Sequence, residues 1–197
     1  MIDKHFARRN LPHLYFNTGI YFITARISGT LPFSVINSLK KISNKYRDIP
    51  FEEFRKHFVE YDDFLDKNFN SKIKLTDNFI PEILSECLLY PDGKEYKLLC
   101  YTIMPTHFHF AFELLPNNKG ISKIMQSIKG ISSRRINTKL NREGKFWQDE
   151  SYDRLIRNDV ELYYVIRYIL ENPVKARLVK NWYEWNYTFC KKEFIVL

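Results

Sequence analysis

Along the chain the hydrophobic positions change period several times, and each change marks an element. Gly19-Ile20-Tyr21-Phe22-Ile23-Thr24-Ala25-Arg26-Ile27 is dense in β-branched and aromatic residues, which suit a pleated, half-buried surface, and Ser28-Gly29 ends it. From Pro32 to about Phe69 the apolar residues move to helical spacing: Val35, Ile36, Leu39 and Ile42, then Phe51, Phe54 and Phe58, then Phe64, Leu65 and Phe69. A long helical connection is predicted there, broken near Asp48-Ile49-Pro50. Residues 75–90 predict a further helix that begins near Thr76-Asp77-Asn78, with Pro81 in its first turn, where no amide hydrogen bond is lost. Pro91-Asp92-Gly93 then turns the chain into a strand over 95–103, and Met104-Pro105-Thr106 separates it from a strand over 107–114, its expected antiparallel neighbour.

After Pro116-Asn117-Asn118-Lys119-Gly120 a helix is expected from about Ser122 to Asn141. Ile121, Ile124, Met125, Ile128, Ile131 and Ile136 form its apolar face, and Lys123, Lys129, Arg134, Arg135 and Lys139 lie mostly elsewhere. A strand over 151–156 and a helix over 159–172 follow. Asp159 is the expected cap, and Pro173 is expected to set the helix end at Asn172. The aromatic tail from about 180 to 197 is expected to fold back onto the domain. This order predicts one α+β domain over 1–197, a ferredoxin-like antiparallel sheet with helices packed on it and a helical insertion at about 33–90 after the first strand.

Composition narrows the class. A chain of 197 residues with 45% hydrophobic and 16% aromatic residues is a folded protein with one main core. The net charge of +8 favours a polyanionic partner, nucleic acid or an anionic membrane surface. The sequence has no apolar run long enough for a bilayer, and its first residues lack the apolar centre of a signal peptide, so a cytoplasmic location without membrane partners is expected. Cys87, Cys100 and Cys190 have no metal-site spacing and are expected as free thiols.

The candidate chemistry begins at His107-Phe108-His109. On a strand, residues i and i+2 share a face, so both imidazoles project together while Phe108 turns to the other side. Two imidazoles can begin a metal site but leave it short of ligands. Taken alone, such a pair is more often two hydrogen-bonded strand histidines. Downstream, Tyr168 and Asn172 stand at i and i+4 on one helix face, where a nucleophile and a third ligand could sit together. Tyr163 and Tyr164 are rival tyrosines on the same helix.

Several separated motifs occur together: Met104-Pro105-Thr106-His107-Phe108-His109, Ile128-Lys129-Gly130, Phe146-Trp147-Gln148-Asp149-Glu150, Asp153-Arg154-Leu155-Ile156-Arg157 and Tyr168-Ile169-Leu170-Glu171-Asn172-Pro173-Val174-Lys175-Ala176. With Leu11-Pro12-His13, Tyr21-Phe22-Ile23-Thr24 and Leu31-Pro32, this set resembles the REP-associated tyrosine transposases, single-tyrosine HUH transposases of the IS200-like kind. The resemblance implies an HUH endonuclease fold and metal-dependent cleavage of single-stranded DNA near hairpins, through a 5′-phosphotyrosine intermediate, in DNA transposition and recombination. It implies His107, His109 and Asn172 as metal ligands and Tyr168 as nucleophile. Two positions depart from the family pattern: Thr106 stands where Asn is common, and Arg177 where Gly is expected, which suits a backbone that is not left-handed.

A metal that polarises a nonbridging phosphate oxygen stabilises charge in the transition state, and a nearby cation lowers the cost of the phenolate. Imidazole and amide ligands suit Mn2+ at least as well as Mg2+, and the resemblance admits either. Lys129, Arg134, Arg135, Lys139, Arg154 and Arg157 are the expected DNA phosphate contacts, and Trp147 the expected stacking platform for an unpaired base. Two other readings compete: a non-cleaving hairpin-binding protein, and a hydrolytic enzyme with a third histidine, which Ala111 opposes. Monomer and homodimer both remain open.

Overall fold

The computed structural model describes residues 4–8, 12–29, 51–67, 72–149 and 151–195. The first part of the expected insertion, 33–50, therefore lies outside the described residues. A hairpin of β1 (Lys4–Arg8) and β2 (Pro12–Phe16) precedes β3 (Gly19–Arg26). Then come α1 (Phe51–Lys67), α2 (Ile80–Leu89), β4 (Tyr96–Ile103), β5 (His107–Leu114), α3 (Ile121–Lys139), β6 (Tyr152–Ile156), α4 (Asp159–Lys175) and β7 (Thr188–Cys190). The insertion thus follows the third strand of the chain, although β3 is the first strand of the main sheet.

That sheet has five strands in the order β6-β3-β5-β4-β7, all neighbours antiparallel. Side-chain alternation divides it into two faces. Tyr21, Ile23, Phe108, Phe110 and Phe112 pack on one face beneath α2 and α3. Phe22 and Ala111 lie on the other, beneath Leu65 of α1 and Val165, Ile166, Ile169 and Leu170 of α4. The β4–β5 register shifts between Leu98 and Cys100. This bulge lets Leu99 and Cys100 both join the α1/α4 core, while Leu98 and Tyr101 remain in the other. Gly19 opens β3 at φ 122°, and a Cβ there would come within 2.9 Å of Leu155 Cδ1.

The helix ends refine the predicted boundaries. α2 starts at Ile80 rather than near Thr76, because Asn78 adopts φ 46° in the turn before it. Asn158, not Asp159, caps α4: its side chain accepts from the Glu161 amide at 2.9 Å. Pro173 does not end that helix, which runs on to Lys175, since a proline this near the terminus removes a single N–H from the ladder. The true stop is Arg177, whose φ of 57° is left-handed, contrary to the expectation for a non-glycine residue. The Arg177 and Leu178 amides donate to the carbonyls of Val174 and Pro173, each at 2.9 Å, closing a Schellman turn. The tail folds back as expected: β7 pairs with β4, and Trp185 Nε1 donates to the Ile103 carbonyl at 3.0 Å.

Arg154 of β6 is 9% exposed and donates to Glu161 Oε1 at 2.9 Å, while Glu161 Oε2 accepts from the Arg157 amide at 3.2 Å. Burial lowers the Arg154 pKa from its ordinary value, opposed by the Glu161 carboxylate. Glu161→Ala is expected to cost about 3 kcal/mol in chemical denaturation, because a buried guanidinium loses its counter-charge; adding Arg154→Leu should recover much of it. Arg177→Gly should act in the opposite direction, stabilising by about 0.5–1 kcal/mol through relief of the left-handed strain. A thermal melt should register that as a rise of roughly 2 °C.

Candidate active site

His107 and His109 stand on the α1/α4 face of the central strand β5, both fully buried, with ring centroids 4.6 Å apart. Across the sheet, Thr24 of β3 lies opposite His109 in register, and its Oγ1 is 2.7 Å from His109 Nδ1. Thr106 does the same for His107, with Oγ1 3.1 Å from Nδ1, and it also donates to the Leu65 carbonyl of α1 at 3.1 Å. A hydroxyl has one hydrogen. With that hydrogen on Leu65, the contact to His107 needs the proton on Nδ1, which leaves the Nε2 lone pair for another partner. The Thr106 hydroxyl thus links α1 of the insertion to the first histidine of β5.

The partner facing both rings is Asp62, from the middle of α1. Its Oδ1 is 3.3 Å from His107 Nε2 and 3.2 Å from His109 Nε2. Its Oδ2 accepts hydrogen bonds from the Tyr168 hydroxyl and from Asn172 Nδ2, the latter at 2.5 Å. Burial raises the Asp62 pKa, but the two imidazoles, when protonated, outweigh it and hold the carboxyl well below the usual carboxylate range. Asn172 Nδ2 is also 3.3 Å from His109 Nε2. Three buried atoms here, Asp62 Oδ1, His107 Nε2 and Asn172 Oδ1, have no hydrogen-bond partner among the described residues. A carboxylate oxygen, an imidazole nitrogen and an amide oxygen left unsatisfied in one place suit a divalent cation, and Asp62, His107 and His109 have ligand atoms within 4.8 Å of one another.

Tyr168 is held from two sides. Its ring meets His109 edge-on at 5.6 Å and Phe22 edge-on at 6.2 Å, and Lys175 Nζ lies 4.4 Å from its centroid. The rivals are set apart from the histidines: Tyr164 packs against Phe51 at 5.5 Å, and Tyr163 is 39% exposed. The expected quartet of His107, His109, Tyr168 and Asn172 is therefore brought together, and Asp62 is the residue the sequence reading missed. A signal for it existed. In the apolar stripe Phe51, Phe54, Phe58, Leu65, Phe69, Asp62 fills the step between Phe58 and Leu65 where another apolar residue is due.

The expected DNA contacts fare differently. Trp147 is 4% exposed, wedged edge-on against Phe108 and Phe146, and its Nε1 donates to Ser132 Oγ at 2.9 Å. Its faces are core surface, which corrects its reading as a stacking platform. Arg154 is likewise a buried partner of Glu161 rather than a phosphate contact. Lys129 Nζ donates to the carbonyls of Gln148 and Asp149 at 2.9 and 3.2 Å, and Arg135 pairs with Glu86 at 2.5 Å. Arg134, Lys139 and Arg157 are exposed. Because α3 packs on the Phe108/Phe110/Phe112 face, Lys129, Arg134, Arg135 and Lys139 lie across the sheet from the histidines. Among the described residues, Arg55, Arg167 and Lys175 line the cleft beside Tyr168, and the buried Arg26 stands opposite His107 in the β3–β5 register.

Known proteins resemble this chain in sequence and in fold. A protein of Haemophilus influenzae described as a REP-associated tyrosine transposase is 28% identical over 111 residues, which span 52% of this chain and 61% of that relative. The chain thus matches less than two thirds of that relative's length. The solved structure of a REP-associated tyrosine transposase bound to a REP hairpin superposes with a TM-score of 0.59 at 17% identity, covering 92% of this chain and 80% of that one, a likeness of fold. Among the described residues no helix is long and apolar enough to cross a membrane. The family described as Transposase IS200 like matches residues 69–172, more than half of the sequence and inclusive of His107, His109, Tyr168 and Asn172, so the chain belongs to the IS200-like transposase family.

Proposed function

We propose that this protein cleaves and transfers single-stranded DNA at or near hairpins, with Tyr168 as nucleophile and a divalent cation, Mg2+ or Mn2+, held by Asp62, His107, His109 and Asn172. The observation that carries the reading is the shared carboxylate: one oxygen of Asp62 receives the Tyr168 hydroxyl, and the other faces both imidazoles. A divalent cation bound there supplies positive charge to a nonbridging phosphate oxygen and offsets the Asp62 carboxylate beside the phenol.

The chain's own residues set up an in-line displacement. Asp62 Oδ2 and the edge contacts of Phe22 and His109 fix the Tyr168 hydroxyl on the site side of its ring. As Tyr168 Oη bonds to phosphorus, the bond from phosphorus to the 3′-oxygen breaks, the phenolic proton leaves along the Asp62 Oδ2 hydrogen bond to solvent, and the leaving 3′-oxygen takes a proton from solvent. The phosphotyrosine ester retains the bond energy, so a 3′-hydroxyl can later reverse the step and join strands. Asn172 turns its amide toward the same carboxylate, and exchange of its nitrogen and oxygen on a half-turn makes it donor or ligand. Thr24 and Thr106 keep the two Nε2 atoms aimed at the centre.

Incubating the purified chain with Mn2+ and labelled hairpins that carry single-stranded flanks should give DNA retained on the protein in a denaturing gel. Tyr168→Phe should abolish that adduct, whereas Tyr163→Phe should not. Tight hairpin binding without an adduct across varied sequences would instead favour the non-cleaving DNA-binding reading. Metal binding can be read without activity. Mn2+ at a hundredfold excess over its Kd should stabilise the chain by about 2.7 kcal/mol, a rise of roughly 5–10 °C in the melt. Asp62→Ala and His107→Ala should lose that shift, and Thr106→Val should weaken Mn2+ affinity roughly tenfold to a hundredfold by releasing the His107 ring.

A further inference from the structure

Beside Tyr168, between α1 and α4, lies an open cleft of about 320 Å³. That is at the small end of ligand sites, of a size for one compact ligand rather than a stretch of duplex. Phe22 forms part of its lining, and Phe51 and Tyr164 form an aromatic corner, their centroids 5.5 Å apart with planes tilted by 37°. Arg55, Arg167 and Lys175 also line it, with Glu171 as the acidic lining residue. Arg167 is paired with Glu171 at 2.9 Å, and Arg55 with Glu52 at 3.1 Å, so the cleft keeps positive charge in excess. Lys175 makes no ion pair among the described residues, and its ammonium sits 4.4 Å from the Tyr168 ring centroid. It remains solvent-accessible, yet partial desolvation lowers its pKa from the usual lysine value, outweighing the attraction of Glu171 and Asp62.

Tyr168 belongs to both places: its hydroxyl meets Asp62, and its ring lines the cleft. A DNA strand whose phosphate reaches that hydroxyl must lead its next nucleotide away from the histidines, and the cleft is the adjoining opening. Aromatic rings beside unsaturated positive charge are what a single unpaired nucleotide requires, a π-surface for the base and cations for its phosphate. We propose that this cleft holds the unpaired nucleotide next to the scissile phosphodiester, its base against Phe51 and Tyr164 and its phosphate at Lys175 and Arg55. The proposal rests on the reading of Tyr168 as nucleophile. It gives α1 a second task, since Phe51 and Arg55 lie on the helix that carries Asp62.

The test uses the full chain carrying Tyr168→Phe, which retains the ring but stops covalent chemistry, with hairpins bearing a single 5-iodo-deoxyuridine at successive flank positions. Ultraviolet crosslinking and peptide mapping should join one position to the peptides of Phe51 or Tyr164. Wild-type adduct mapping should place that nucleotide beside the cleaved bond. Tyr164→Leu should reduce this crosslink and the flank-dependent part of the affinity roughly tenfold, with Tyr164→Phe retaining both. Lys175→Gln should weaken binding and flatten its salt dependence by about one phosphate contact. Wild-type adduct formation with crosslinks confined elsewhere, or unaffected by Tyr164→Leu, would overturn the cleft while leaving the Tyr168 reaction standing. A crosslink in the cleft without any wild-type adduct would sustain nucleotide binding there and count against the reaction instead.

Discussion

A carboxylate removed from water must find compensating charge or hydrogen bonds, and Asp62 is 4% exposed. Everything around it follows from that demand. The two imidazoles of β5 face one oxygen, and the hydroxyl and amide of α4 meet the other. One side chain therefore ties the insertion helix, the central strand and the last helix to a single point. It also leaves Asp62 Oδ1, His107 Nε2 and Asn172 Oδ1 without hydrogen-bond partners among the described residues, an arrangement that is costly in a dry core and sensible around a cation. Asp62 precedes the segment matched by the family, so the insertion adds a charged group to a set of residues that the family span already contains.

The two faces of the sheet divide the work. Beneath α2 and α3, stacked phenylalanines and a hydrogen-bonded tryptophan make a largely apolar layer. The Phe146-Trp147-Gln148 run serves that layer: it bridges Trp147 to Ile27, and the Gln148 amide donates to the Arg26 carbonyl at 3.0 Å, extending pairing beyond the end of β3. Beneath α1 and α4, the same β5 presents histidines instead. Threonines from neighbouring positions hold those rings, and apolar packing by Leu65, Ile169 and Leu170 excludes water from the surroundings. Strand alternation allows one segment to build both environments.

Helix α4 shows how closely position and chemistry are coupled. Its buried residues seat it on the sheet, Tyr168 and Asn172 reach the carboxylate, and Tyr164 and Lys175 turn toward the adjoining cleft. The helix continues past Pro173, so Lys175 remains on the helical face it shares with Tyr168, and it then stops on a strained Arg177 closed by a Schellman turn. Extending the helix by those last residues is what places a cation beside the Tyr168 ring.

What the sequence determined by itself was local. Period-two and period-3.6 patterns defined β3, β4, β5, α3 and α4, and fixed spacing put His107 with His109 and Tyr168 with Asn172, because i+2 on a strand and i+4 on a helix share a face whatever the rest of the chain does. Burial and partnership are not local. Arg154 and Trp147 have the composition of nucleic-acid contacts, and only packing against Glu161, Phe108 and Ser132 makes them interior. The cations of α3 read as part of the site until the layer order put them across the sheet from it. Asp62, 45 residues before His107, could enter the centre only when α1 docked on β5 and α4, because the pairing of a buried charge is decided by which distant groups the fold brings within a few ångströms.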